Sequence, residues 1–86
     1  MKVYYAPLFL RQLKKLEPTL QNEVIIKIEE FKKAKNHEAL KTHKLHGKLS
    51  GEYAFSVNYS IRVRYVKKSA QEYWLLRVGP HPIYEQ

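Results

Sequence analysis

The segment RVGPHPIYEQ, residues 77–86, places side chains suited to proton transfer close to a cation. His81 stands between two prolines, Tyr84 follows it by three residues, and Arg77 precedes it by four. Proline restricts the backbone, so the directions of neighbouring side chains are limited. Histidine, with an unperturbed pKa of about 6.5, can serve as acid or base near neutral pH. The segment therefore suits proton transfer beside a negatively charged substrate, and an ordered tail without chemistry is the alternative.

Two further cations lie in the segment YAFSVNYSIRVRYV, where arginines alternate with apolar residues. Ile61, Val63 and Tyr65 fall on one side of a strand, so Arg62 and Arg64 fall on the other. A guanidinium is planar and offers paired donors, which suits a phosphate group. The pattern predicts a basic sheet face, with residues 81–84 near its rim.

The charge balance favours a polyanionic partner. Sixteen Lys and Arg residues stand against eight acids, for a formal net charge of +8 and a pI near 9.8. Between residues 41 and 68 the single acid is Glu52, and the bases are Lys41, Lys44, Lys48, Arg62, Arg64, Lys67 and Lys68. Such a one-sided stretch indicates binding to nucleic acid or to an acidic protein, beyond simple solubility.

The acidic residues argue against a metal-dependent nuclease. All eight are glutamates, and the chain has neither aspartate nor cysteine. Metal nucleases gather several carboxylates around Mg²⁺, whereas most of these glutamates alternate with lysines at helical spacing. His37, His43 and His46 lack the companions and the spacing of a zinc site. We therefore expect no metal and no cofactor.

The first half of the chain predicts one strand and two helices. MKVYYAP indicates a short strand ended by Pro7, and Pro18 separates two helical patterns that should form a hairpin. The apolar positions at helical spacing are Phe9, Leu13 and Leu16, then Leu20, Val24, Ile28 and Phe31, with Ile25 broadening the second stripe. The solvent side of the second helix carries Glu23, Lys27, Glu30 and Lys33.

The second half predicts three strands after a connection over residues 37–52. Tyr53, Phe55 and Val57 alternate, a turn follows near residues 58–60, and EYWLLRV indicates a last strand buried on both faces. Tyr53, Tyr59, Tyr65 and Trp74 are able to stack on bases, although strand positions are more typical of packing residues. The order β-α-α-β-β-β predicts an α+β fold, one domain over residues 1–86, with a helical hairpin on one face of a small, mainly antiparallel twisted sheet.

The chain shows no apolar run of membrane-spanning length, and MKVYYAP does not look like a signal peptide. We therefore expect a cytoplasmic protein with no membrane partner.

The segment HKLHGKLSGEYAFSVNYSIRVRYV, followed by LLRVGPHPIYE, resembles the RelE/ParE superfamily of bacterial toxins, particularly the YafQ-like and YoeB-like branches. The residues in place are Leu45, Gly47, Leu49, Gly51, Tyr53 and Arg62. The resemblance covers nearly the whole chain and rests on the order and spacing of short motifs. It implies the toxin of a type II toxin–antitoxin system, a monomer when free, which a cognate antitoxin inactivates in a heteromeric complex. It also implies ribosome-dependent cleavage of mRNA.

The resemblance assigns roles to single residues. His43 matches the histidine of the HPLxG pattern, Arg62 the strand arginine at the scissile phosphate, and His81 the histidine that transfers protons. Tyr84 stands near the terminal tyrosine of other branches. The RNA-binding residues would be Lys44, His46, Lys48, Arg64 and Arg77. Two positions depart from the pattern, because Ser56 replaces a frequent arginine or histidine and Ser60 replaces an acid.

RNA carries its own nucleophile, the 2′-OH, so cleavage needs proton removal, phosphate stabilisation and protonation of the leaving 5′ oxygen. We assign Arg62, assisted by Lys44 or Lys48, to the phosphate, His81 to one proton transfer, and His43 or Tyr84 to the other. The expected products are a 2′,3′-cyclic phosphate and a 5′-hydroxyl. The alternatives are a ParE-like inhibitor of DNA gyrase, or a member with weak or no nuclease activity that binds RNA or its antitoxin.

Overall fold

The computed structural model describes residues 2–33 and 51–80, together with the backbone of residues 43–44. The elements in chain order are β1 (Lys2–Tyr5), α1 (Pro7–Lys15), α2 (Pro18–Phe31), β2 (His43–Lys44), β3 (Tyr53–Ser56), β4 (Ile61–Ser69) and β5 (Glu72–Pro80). This order confirms the predicted α+β fold, with one short strand more than predicted.

Each helix begins at a proline, where the missing N–H has no intrahelical acceptor to lose. The stripes face the sheet as predicted: Phe9 is buried on α1, and Val24, Ile28 and Phe31 are buried on α2. The prediction for Ile25 was wrong, because 49% of this residue is exposed. In the described part of the chain, neither helix is long and apolar enough to cross a membrane.

The five strands form one sheet in the order β1-β5-β4-β3-β2. β1 pairs parallel with β5, and every other pairing is antiparallel, so the predicted mainly antiparallel sheet is confirmed. The segment around His43 was predicted as connection, yet His43 and Lys44 pair with Ala54 and Tyr53. A two-residue strand leaves no alternating pattern to detect, which explains why the sequence did not indicate it.

The core lies between the two helices and the sheet, and aromatic rings dominate it. The ring centroid of Phe31 lies 4.8 Å from that of Phe55, 4.8 Å from that of Tyr65 and 5.3 Å from that of Tyr73. The first pair is stacked and the other two meet edge to face, geometries that add to the burial energy. The alternation predicted for β3 and β4 is confirmed, since Phe55, Val63 and Tyr65 are all buried.

β5 does not bury both faces as predicted. Tyr73, Leu75 and Val78 are buried in the core, whereas Trp74 and Leu76 on the opposite side are half-buried. A register shift opposite Arg64 and Tyr65 interrupts the alternation, so that Leu75 and Val78 both face the helices. This bulge turns two consecutive residues, 76 and 77, to the sheet face opposite the helices.

Burial raises the pKa of the Tyr65 hydroxyl well above its ordinary value. Above about pH 10 the unfolded chain releases this proton while the folded protein retains it, so the free energy of unfolding must fall as pH rises. We expect Tyr65→Phe to weaken this alkaline destabilisation in urea unfolding measured between about pH 8 and pH 11. Tyr59→Phe, at a residue that is 96% exposed, is the control. An unchanged pH dependence in Tyr65→Phe would contradict the assignment of this destabilisation to the Tyr65 hydroxyl.

Candidate nucleic-acid interface

The sheet face opposite the helices, called here the open face, gathers the arginines of β4 and β5. Alternation along β4 places Arg62 and Arg64 on this face, which confirms the sequence prediction that they share a side. The bulge in β5 brings Arg77 to the same face, and Arg77 is the register partner of Arg64. Three guanidinium groups from two adjacent strands therefore occupy one side of the sheet.

The register extends this arrangement across the sheet. Arg64 pairs with Ala54 on β3, and Ala54 pairs with His43 on β2. The positions His43, Ala54, Arg64 and Arg77 thus form one line perpendicular to the strands, which we call the arginine row. For His43 the structure describes the backbone position alone. That position lies two strands from Arg64.

Arg64 is buried in this face rather than exposed. It is 5% exposed, and its Nε lies 2.6 Å from Oε1 of Glu52, which precedes Ala54 by two residues on the same face. A buried guanidinium needs a carboxylate partner, and Glu52 supplies it. The signal was available in the sequence, since Glu52 is the single acid between residues 41 and 68.

Arg62 is tied to the turn between β3 and β4. Its Nη1 donates to the carbonyl oxygens of Asn58 at 2.7 Å and of Tyr59 at 2.9 Å. Within residues 2–33 and 51–80, its Nε and Nη2 make no hydrogen bond. Among these residues the guanidinium is therefore held through Nη1, and the N–H groups of Nε and Nη2 are donors from which an oxyanion can accept hydrogen bonds.

Asn58 organises the turn that holds Arg62. Its Oδ1 accepts the backbone N–H groups of Ser60 at 2.9 Å and Ile61 at 2.8 Å, as asparagine commonly does in turns. Its Nδ2 donates to Oε2 of Glu23 on α2 at 2.7 Å. The sequence placed Glu23 on the solvent face of α2 and did not single out Asn58. A side-chain contact between residues 35 positions apart leaves no sequence pattern.

The end of β5 is held by α1. Gln12 Oε1 accepts the backbone N–H of Val78 at 2.9 Å, at a point beyond the residues of β5 that β1 pairs with. The helix side chain thus takes the place of the missing strand partner. This bond fixes the strand end that leads to residue 81.

Several predicted site residues lie outside the described residues: His81, Tyr84, His46 and Lys48. Lys44 is located by its backbone, as the register partner of Tyr53. In the described part of the chain, no group of three or more His, Cys, Asp or Glu residues is placed to hold a metal ion. What the described residues offer is a set of fixed cations on one sheet face, an arrangement able to bind and polarise a phosphate.

No protein-family model and no curated protein matches this chain. Solved structures do. A conserved hypothetical protein from Helicobacter pylori has a TM-score of 0.73 at 24% identity, with 94% of each chain covered. The YoeB–YefM complex from Staphylococcus aureus matches with a TM-score of 0.73 at 15% identity, covering 94% of this chain and 97% of that one. A YafQ mutant from E. coli matches with a TM-score of 0.72 at 14% identity, covering 95% and 94%. The chain shares the fold of these proteins.

The contact between Glu23 and Asn58 should couple α2 to the turn that holds Arg62. We expect Asn58→Ala to lower the free energy of unfolding by about 1 to 3 kcal/mol, because it leaves turn amides and a half-buried carboxylate without their partner. Urea unfolding of Asn58→Ala, Glu23→Ala and the double variant measures the coupling. Asn22→Ala, an exposed asparagine on the same helix, is the control. Strictly additive losses would contradict the coupling.

Proposed function

We propose that this protein is the toxin of a type II toxin–antitoxin system and that it cleaves mRNA bound to the ribosome. The observation that carries the proposal is the convergence of Arg62, Arg64 and Arg77 on the open face, with the backbone position of His43 in the same row as Arg64 and Arg77. The fold shared with YoeB and YafQ supports the same conclusion, as does the net charge of +8.

The proposed reaction uses the 2′-OH of the RNA as nucleophile and needs no metal. The 2′ oxygen attacks the adjacent phosphorus, the bond to the 5′ oxygen breaks, and a 2′,3′-cyclic phosphate and a 5′-hydroxyl result. Nε and Nη2 of Arg62 supply hydrogen bonds to the phosphate oxygens as their charge increases. Arg77 adds positive charge from the neighbouring strand. Glu52 neutralises the charge of Arg64, so Arg64 adds no net charge to the site and serves as the strand neighbour of Arg77.

Proton transfer is assigned to the residues proposed from the sequence. His81, which lies close beyond the end of β5, is one acid or base, and His43 or Tyr84 is the other. Lys44, His46 and Lys48 would bind the RNA strand beside the arginine row. The link from Gln12 to Val78 supports this assignment, because it fixes the strand end from which the histidine segment departs.

The proposed partner in the resting state is a cognate antitoxin. The YoeB–YefM structure, which contains a chain with the fold of this protein, is a complex of two proteins. An antitoxin segment that covers the open face would remove the attraction for RNA, and acidic residues in that segment would speed the encounter with this basic chain. The free toxin is proposed to be a monomer in the cytoplasm.

The affected cellular process separates this proposal from inhibition of DNA gyrase. We expect expression without a partner to stop amino-acid incorporation within minutes, while thymidine incorporation continues at first, because mRNA is the target. Pulse labelling with both precursors measures this order. Early arrest of thymidine incorporation with normal protein synthesis would contradict the nuclease proposal and support inhibition of DNA gyrase.

The His81 segment should carry proton transfer. We expect His81→Gln to cleave ribosome-bound mRNA about 100- to 10,000-fold more slowly, because glutamine cannot exchange the proton. Folding and antitoxin binding should persist, since the substitution changes no described core contact. Primer extension on ribosome-bound mRNA, with EDTA present, measures the cleavage. Near wild-type cleavage by His81→Gln would leave residues 80–84 as an ordered tail.

In the same assay, Arg62→Ala should lose both phosphate stabilisation and RNA affinity. Arg11→Ala removes an equal charge from the exposed side of α1 and is the matched control. Loss of wild-type cleavage on addition of EDTA would overturn the metal-independent mechanism.

A further inference from the structure

The open face carries an aromatic platform beside the arginines. Tyr4 on β1 and Trp74 on β5 are register partners, and their ring centroids lie 4.8 Å apart with an interplanar angle of 23°. Trp74 is also the register partner of Val66 on β4. The two rings therefore stack on each other across adjacent strands. Trp74 lies between Tyr4 and β4, the strand that carries Arg62 and Arg64.

A groove of about 410 Å³ borders Trp74 on the side away from Tyr4. Its walls are Val66, Lys68, Trp74 and Leu76, and they are mostly apolar. Val66 follows Arg64 by two residues on the same face of β4, a distance of about 7 Å along the strand. The groove thus opens next to the arginine row.

We propose that this groove binds a nucleobase of the RNA that the protein cleaves, with the base stacked on Trp74 as a third ring after Tyr4. This inference rests on the proposed function and assigns a base-binding subsite to it. The groove supplies apolar contact for the base, while Lys68 and Arg77 supply cations for the phosphates on either side. Stacking surface within a cationic strip is the combination by which proteins bind single-stranded RNA.

Charge favours RNA over an apolar protein segment as the occupant. From Ile61 to Ser69 the strand that forms the groove floor carries Arg62, Arg64, Lys67 and Lys68 and no acid. Nε1 of Trp74 is buried and has no hydrogen-bond partner in the described part of the chain. A base or ribose oxygen would satisfy this donor after a small shift of the indole.

The chain's single tryptophan makes the contact directly measurable. The probe is a 2′-O-methylated single-stranded RNA of about ten nucleotides, whose blocked nucleophile prevents cleavage. We expect this RNA to quench the Trp74 fluorescence, because a base stacked on the indole allows the excited state to decay without emission. An abasic strand with the same phosphates should bind by charge and leave the fluorescence unchanged. Quenching by the abasic strand, or bound RNA without quenching, overturns the subsite while leaving RNA binding intact.

Variants separate stacking from charge. Trp74→Leu should bind the same RNA about 5- to 150-fold more weakly, with the salt dependence of the affinity unchanged, because no phosphate contact is lost. Arg77→Gln should reduce that salt dependence. Tyr4→Leu should also weaken binding, whereas Tyr5→Leu should not, since both tyrosines are 37% exposed but Tyr5 packs against Phe9 on the helical side.

The remaining outcomes are equally informative. Failure of wild type to bind any RNA under low salt would overturn the proposed function as well as the subsite. Binding of RNA by wild type and Trp74→Leu with equal affinity would overturn the subsite alone. Quenching of Trp74 by an acidic apolar peptide, but not by RNA, would assign the groove to a protein partner instead. Thermal unfolding of each variant verifies that it is folded.

Discussion

The packing of Phe31 against Phe55 and Tyr65 is the contact on which the rest of the structure depends. These rings bury one face of β3 and β4 against α2. Because strand side chains alternate, burial of Tyr65 turns Arg64 to the opposite face, and a slip of one residue would exchange the two faces. The location of the cations is thus a consequence of how an aromatic core is packed.

Concentrating three guanidinium groups on one face of a small sheet costs electrostatic free energy, which the local contacts offset in different ways. Arg64 is buried and paired with Glu52, so its charge is balanced within the face. Arg62 is held by carbonyl oxygens of the β3–β4 turn, whose partial negative charge favours a cation without neutralising it. The result is a face that keeps net positive charge where a phosphate can reach it.

Both helices contribute directly to the positions of these groups. α1 reaches the end of β5 through Gln12 and Val78, and α2 reaches the β3–β4 turn through Glu23 and Asn58. Each contact lies next to a segment assigned to function: the first precedes His81, and the second holds the turn that bonds Arg62. The turn that holds Arg62 and the end of β5 are therefore each supported by a hydrogen bond from a helix, which limits their movement.

The candidate site could be predicted from the sequence where local periodicity was sufficient and not where distant residues meet. Alternation of apolar residues determined that Arg62 and Arg64 share a face, and the prolines with the apolar stripes determined the helical hairpin. Periodicity does not indicate how deeply a side chain is buried. The burial of Arg64 with Glu52 and the exposure of Ile25 therefore depended on tertiary packing.

Strand register and β-bulges also cannot be read from a local sequence pattern. The line from His43 through Ala54 to Arg77 required the pairing of four strands, and the stack of Tyr4 on Trp74 joined residues 70 positions apart. Alternation along the strands is enough to identify which residue types face the core, because side-chain direction repeats every second residue in a strand. The tertiary structure decided which cations meet, because strand pairing brings together residues that the chain keeps far apart.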